Sequence, residues 1–174
     1  MELPEVANRL PSRRLSRVEM STSAPPVFFR IDDHIATAAQ PDASAFPWLA
    51  GQGFRAVLNL NGPTARNYRP DEAALAAAAG LRYVHHPVDC SRLTPALYEA
   101  FREQLAPLLA DGPVLVHCAA NVKSTGLMHV FRVRELGHDP ERAEADLEKL
   151  PGLEPKWRAF FEQMGVTSES AAAE

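Results

Sequence analysis

The sequence predicts an α/β domain with a mainly parallel central sheet flanked by helices. Three observations carry this. Short aliphatic and β-branched runs, clearest at residues 54–60, 81–88 and 114–117, alternate with longer segments of helical spacing. Gly and Pro punctuate the boundaries between them. The run Val114-Leu115-Val116 leads through His117-Cys118-Ala119-Ala120-Asn121 into a helical pattern at Leu127, Val130, Phe131 and Val133, so strand, tight loop and helix follow one another directly. Strands alternating with helices imply a parallel sheet covered by helices. Such sheets hold their ligands at the carboxyl ends of central strands.

Taken in order, residues 1–24 are rich in Arg, Ser and Pro and read as a disordered tail, with Met20 as an alternative start and a basic docking arm as the sharper alternative. The folded domain is expected over residues 25–165. Residues 27–31 and 34–38 read as two short strands around Asp32-Asp33. Gln40-Pro41-Asp42 turns the chain, and Asp42 is a candidate cap for a short helix that ends near Gly51 or Gly53. Residues 54–60 are a strand closed by Asn61-Gly62-Pro63. The following loop carries Arg66 and Arg69, read as solvated charges. An Ala-rich helix is expected over 70–79, with Pro70 in its first turn and Gly80 as its stop.

Residues 81–88 form the next strand. His85 and His86 are adjacent on it and point to opposite faces, which argues against a shared metal. Thr94 caps a helix with Pro95 at its first position, running to about Leu109. The helix after the Cys118 loop should end at Gly137. Asp139-Pro140 opens another to about Leu150, and 154–164 is the last, with Trp157, Phe160 and Phe161 as a core-facing stripe. Residues 166–174 read as frayed.

Composition narrows the function classes. The net charge is −4, from 18 Lys and Arg against 22 Asp and Glu, so nothing in it calls for nucleic acid. No apolar run approaches the roughly 18 residues of a membrane span. Two cysteines, Cys90 and Cys118, do not make a disulfide framework, and a reducing cytoplasm is the default location. No metal and no cofactor are expected, since the histidines show no ligand spacing.

The chemistry gathers at Cys118. A loop opening a helix points several backbone N–H groups into one concavity at the positive end of the helix dipole, a site suited to a phosphate-sized anion. That field favours the thiolate, the nucleophilic form of a cysteine. Nucleophilic attack on a phosphoryl or sulfur centre follows as the expected reaction.

At His117-Cys118 the sequence resembles the cysteine-dependent tyrosine and dual-specificity phosphatases, whose motif is His-Cys, five residues, Arg, then Ser or Thr. It resembles more closely a bacterial branch that includes the beta-lactamase hydrolase-like protein phosphatases. That branch carries a Gln-Pro pair after the first hairpin (Gln40-Pro41), a strand ending Asn-Leu (Asn59-Leu60), a Pro-Val-Asp stretch (Pro87-Val88-Asp89), and a loop of His-Cys, four residues, Arg. The resemblance implies a dual-specificity-phosphatase-like fold and a phosphorylated protein or small molecule as substrate. It implies Cys118 as nucleophile, Asp89 as general acid and base, and Thr125 as the hydroxyl that stabilises the leaving thiolate. The backbone of Ala119, Ala120, Asn121, Val122, Lys123 and Ser124 would cradle phosphate, with His117 supporting the loop from behind. Asn121 stands where many members have Gly, and Asn tolerates a left-handed backbone.

The loop departs from the motif in having no Arg. Lys123 takes its place in the four-residue register and Ser124 in the five-residue register. The first keeps a cation over the phosphate. Lys is a point charge on a flexible stem, whereas Arg offers a planar fork. Losing one preorganised donor costs on the order of 10²–10³ in rate, so slow turnover is expected. The alternatives are an inactive phosphate-binding module and a rhodanese-like sulfurtransferase; Asp89 and Thr125 favour the phosphatase over the latter. Cys90 reads as incidental, with an oxidative disulfide to Cys118 as the other reading.

Overall fold

The computed structural model describes residues 24–150 and 152–169. The expected tail therefore lies outside the described residues except at its last position. The elements are β1 (Phe29–Arg30), β2 (Ile35–Ala38), α1 (Ala45–Gly51), β3 (Ala56–Asn59), α2 (Glu72–Ala78), β4 (Arg82–His85), α3 (Pro95–Asp111), β5 (Val114–His117), α4 (Val122–Arg134), α5 (Pro140–Leu147) and α6 (Pro155–Met164). The five strands form one sheet in the order β1-β2-β5-β3-β4. β1 and β2 are an antiparallel hairpin, and every other pairing is parallel.

β5 lies between β2 and β3, with Val114 opposite both Ile35 and Ala56 and His117 opposite both Ala38 and Asn59. Its four residues are all buried, as a continuous apolar run in a two-sided sheet requires. Strand residues alternate between two cores. Ile35, Leu58, Val114 and Val116 face a large cluster with Tyr98 and Phe101 of α3, Leu127 and Phe131 of α4, and Trp157 and Phe161 of α6. Ala36, Ala38, Val57 and Leu115 face a smaller cluster with Phe46 and Leu49 of α1 and Ala76 of α2.

Several boundaries differ from expectation. β3 and β4 stop at Asn59 and His85. The Asp42 carbonyl accepts from Ala45 N at 2.9 Å, and Ser44, not Asp42, is the cap position of α1. α2 begins at Glu72 with Asp71 as its cap position, so Pro70 precedes the helix. α4 ends at Arg134 and α5 at Leu147. Thr94 does cap α3, its Oγ1 accepting from Leu97 N at 3.1 Å. Of the stretch expected to fray, residues 166–169 are described, and they begin packed against the domain. Val166 is fully buried, and Ser168 N donates to Glu144 Oε1 at 2.8 Å, because the chain turns at Gly165 and packs back along the helices.

α4 is held by three kinds of contact. Gly126 leaves room for the Trp157 ring: a Cβ at that position would lie 2.3 Å from it. His129 stacks on Phe161 with ring centroids 4.3 Å apart, and its Nε2 lies 3.2 Å from the Val166 carbonyl, which fixes the proton on that nitrogen. Arg132 Nη1 donates to Asp146 at 2.9 Å and ties α4 to α5.

Two outcomes follow. Gly126→Ala must displace Trp157, and chemical denaturation should register a loss of about 1–3 kcal/mol, the usual cost of overpacking. Burial pushes the His129 imidazole down from 6.5 to about 4, partly offset by its bond to Val166. The folded state thus binds this proton less readily than the unfolded state. The associated stability is complete above pH 6.5 and is lost as pH falls toward 4, by about 3 kcal/mol. His129→Leu should flatten that part of the stability–pH curve.

Candidate active site

β5 delivers Cys118 to the carboxyl edge of the sheet, and α4 starts four residues later. Asn121 makes the turn possible. It adopts the left-handed conformation (φ 62°, ψ 24°) that its position opposite Gly in related loops suggested. It also does more than tolerate the turn. Its Nδ2 donates to Val27 O at 3.0 Å and to Thr37 Oγ1 at 3.1 Å, which fastens the loop to the β1–β2 side.

The loop is held from behind by its own carbonyls. Ala119 O accepts from Gln40 N at 3.2 Å and from Asn67 Nδ2 at 2.9 Å. Cys118 N donates to Ala38 O at 3.3 Å, and Leu60 N donates to His117 O at 2.8 Å. Beneath these sits a buried polar network. His117 Nε2 lies 2.8 Å from Glu72 Oε2, and His117 Nδ1 lies 3.3 Å from the Cys118 carbonyl. Gln40 Nε2 donates to the other Glu72 oxygen, and Asn61 Nδ2 donates to Gln40 Oε1 at 2.9 Å. His117 is fully buried and Glu72 is 1% exposed. Buried polar groups need such partners, and here each has one.

In front of the loop lies an open cleft of about 410 Å³. It is lined by Cys118, Ala119, Ala120, Val122 and Lys123 of the loop, by Asp89, Cys90 and Ser91 of the segment after β4, and by Glu154, Lys156 and Trp157 at the start of α6. The structure thus brings the expected nucleophile, the expected acid and the loop cation to one cavity. Lys123 Nζ donates to Val88 O at 2.5 Å, which aims it at the segment that carries Asp89.

Asp89 is exposed, and its carboxyl is held below the usual carboxylate range. The main cause is the Ser91 backbone N–H, which donates to it at 2.9 Å; Lys123 and Lys156 pull in the same direction. Burial pushes the Cys90 thiol up to about 11, against the pull of the same two lysines, so Cys90 is protonated at neutral pH. Both cysteines are free.

The two hydroxyl residues fall differently from expectation. Thr125 Oγ1 donates to the Asn121 carbonyl one turn back, and the residue lines a small cavity with His129 and Arg132 rather than the cleft. With its proton on that carbonyl, the Thr125 hydroxyl is not free to donate to Cys118 in this arrangement. Ser124 is fully buried and its Oγ has no partner.

Glu72 and Lys156 escaped sequence reasoning. Glu72 reads as an ordinary first-turn acid of an Ala-rich helix, and Lys156 as a solvated charge beside Glu154. Each gains its role only through tertiary packing. Gln40 and Asn59, from the Gln-Pro and Asn-Leu pairs that marked the resemblance, lie at this network, where Gln40 bonds Glu72 and the Asn59 side chain accepts from Asn61 N at 2.7 Å.

Residues 28–133 match the family described as "Beta-lactamase hydrolase-like protein, phosphatase-like domain". The chain belongs to that family. Among its relatives is the Beta-lactamase hydrolase-like protein of Xylella fastidiosa (strain 9a5c), 30% identical over 149 residues, which cover 76% of this chain and 34% of that protein. The Agrobacterium fabrum protein of the same name is 33% identical over 101 residues, 56% of this chain and 23% of that one. The chain therefore spans about a third or less of the length of these relatives. Its fold is shared with a DUF442 protein of Shewanella putrefaciens CN-32 (TM-score 0.68, 24% identity, covering 84% of this chain and 95% of that one). It is shared also with TpbA of P. aeruginosa (TM-score 0.64, 21% identity, covering 86% and 92%). In this chain the phosphatase-like domain is a mostly parallel sheet with the cysteine loop at its carboxyl edge.

Removing the buried carboxylate tests the support of the loop. Glu72→Ala leaves His117 Nε2 buried without its acceptor and Gln40 Nε2 with only the Pro41 carbonyl at 3.3 Å, and unfolding measurements should show a loss of about 3 kcal/mol. Glu72→Gln, which retains one acceptor oxygen, should recover part of it.

Proposed function

We propose that the chain is a cysteine-dependent phosphatase acting on phosphate monoesters, of protein phosphotyrosine or of a small phosphorylated molecule. The observation that carries this reading is the shared cleft: Cys118 at the mouth of a helix-opening loop, with Asp89 and Lys123 on the same cavity. The family assignment supports it. A structure of a TpbA variant with the same fold, in complex with pTyr, supports a phosphorylated substrate.

In the first step the Cys118 thiolate attacks phosphorus, the bond to the leaving oxygen breaks, and Asp89 gives that oxygen its proton. In the second, water attacks the cysteinyl-phosphate, Asp89 takes a proton from it, and the P–S bond breaks to return the thiolate. The N–H groups of the 119–124 loop and the α4 dipole stabilise the phosphoryl oxygens. Lys123 adds a point charge without a fork, so turnover is slow. Ser124, whose hydroxyl has no partner, is a better candidate than Thr125 for stabilising the departing thiolate. The lack of Arg and the ionised state of Asp89 also favour a second reading, a phosphate-binding module without turnover.

Hydrolysis of para-nitrophenyl phosphate decides between them. Turnover should vanish in Cys118→Ser and rise in Lys123→Arg. Absence of turnover in all three proteins, with phosphate still bound, would establish the binding module. Activity with thiosulfate and cyanide but not phosphate esters would point to sulfur transfer. The Asp89 carboxyl must be protonated to act as an acid, and its proton affinity is lowered. Hydrolysis of an ester with a poor leaving group should therefore increase as pH falls from 7 toward 5. Asp89→Asn should lose that increase, with a rate loss of about 10²–10⁴.

A further inference from the structure

The cleft holds a second cation. Lys156, in the first turn of α6, lines it together with the cysteine loop. Its Nζ donates to the Cys90 carbonyl at 2.7 Å, as Lys123 Nζ does to the Val88 carbonyl at 2.5 Å. The two acceptors are two residues apart on one segment, so the chain separates them by at most about 7 Å. The two ammonium groups also act on the same neighbours, drawing the Asp89 carboxyl down and opposing the upward push of burial on Cys90.

Neither contact neutralises its lysine. Each carbonyl is uncharged and occupies one of three N–H donors. The carboxylate nearest Lys156 is Glu154 at 3.8 Å, a loose pair with the Glu154 side chain 66% exposed. Two positive charges with spare donors thus face a cavity that also contains the nucleophile, and a tetrahedral oxyanion can accept from two directions at once. We propose that Lys156 is a second phosphate ligand, and that Lys123 and Lys156 hold one phosphoryl group from two helices in place of the fork of a single Arg. This rests on the phosphatase reading for its chemistry but not for its binding step. The arrangement assigns the site a phosphate dianion and ties phosphate affinity to the docking of α6 beside the loop.

The test measures inorganic phosphate binding by calorimetry and kcat/KM for para-nitrophenyl phosphate in the wild type, Lys156→Gln, Lys156→Arg, Lys123→Gln, the double Gln variant and Lys149→Gln as a distant control. Phosphate affinity and kcat/KM should each fall about tenfold or more in Lys156→Gln, be retained in Lys156→Arg, and stay within about twofold in Lys149→Gln. The double variant should deviate from additivity, since both lysines hold one ligand. Lys156→Gln within twofold of wild type on both measures overturns the proposal and leaves the phosphatase reading standing. Lys156-dependent phosphate binding without turnover upholds the proposal and overturns the phosphatase reading. No phosphate binding by the folded wild type overturns the proposal, and if turnover is also absent, the phosphatase reading falls with it.

Discussion

A carboxylate in the first turn of α2 lies 2.8 Å from a histidine at the end of the central strand, and neither side chain reaches solvent. Desolvating such a pair is costly, and removing one partner strands the other. The geometry around Glu72 and His117 is correspondingly complete. Gln40 occupies the second carboxylate oxygen, Asn61 occupies Gln40, and His117 reaches forward to the carbonyl of Cys118. Segments far apart in the chain are thereby fixed to one another directly behind the nucleophile. The loop in front inherits its shape from this support: its carbonyls are occupied from the rear, and its opening faces the cleft.

The electrostatics of the cleft oppose one another in a productive way. Lys123 and Lys156 help to keep Asp89 ionised. If, as proposed, both lysines hold phosphate, an arriving dianion would offset both cations, relieve that pull and favour a proton on Asp89. Anion binding and acid competence would then be coupled through the two lysines. A single Arg clamped on the phosphate would deliver charge with a fixed direction; two lysines on separate helices deliver it with a direction set by helix packing.

What could be read from sequence was local. The Thr94-Pro95 start, the Trp157, Phe160 and Phe161 stripe and the left-handed Asn121 each depend on residues within a turn or two, and each is found where the sequence indicated. The Cys118 loop was legible because strand, loop and helix are contiguous. Glu72, Lys156 and Gly126 were not, because their partners lie 30 or more residues away and only packing joins them. The partner of the Thr125 hydroxyl was hidden for a related reason. A hydroxyl in a helix can bond the carbonyl one turn back, and sequence does not say whether it does.

The position of β5 has a further consequence for how the molecule assembles. Its partners β2 and β3 precede it by about 80 and 60 residues, so the central strand closes the sheet through long loops, a class of pairing that is slow to form. During synthesis the hairpin, α1 and the β3–α2–β4 unit exist before β5 emerges, with a strand-wide gap between β2 and β3. Residues 114–118 are both the wedge that fills this gap and the start of the Cys118 loop. Completion of the hydrophobic core and formation of the Cys118 loop are therefore one event, and a chain that has not finished folding has not yet brought Cys118, Asp89 and Lys123 to one cavity.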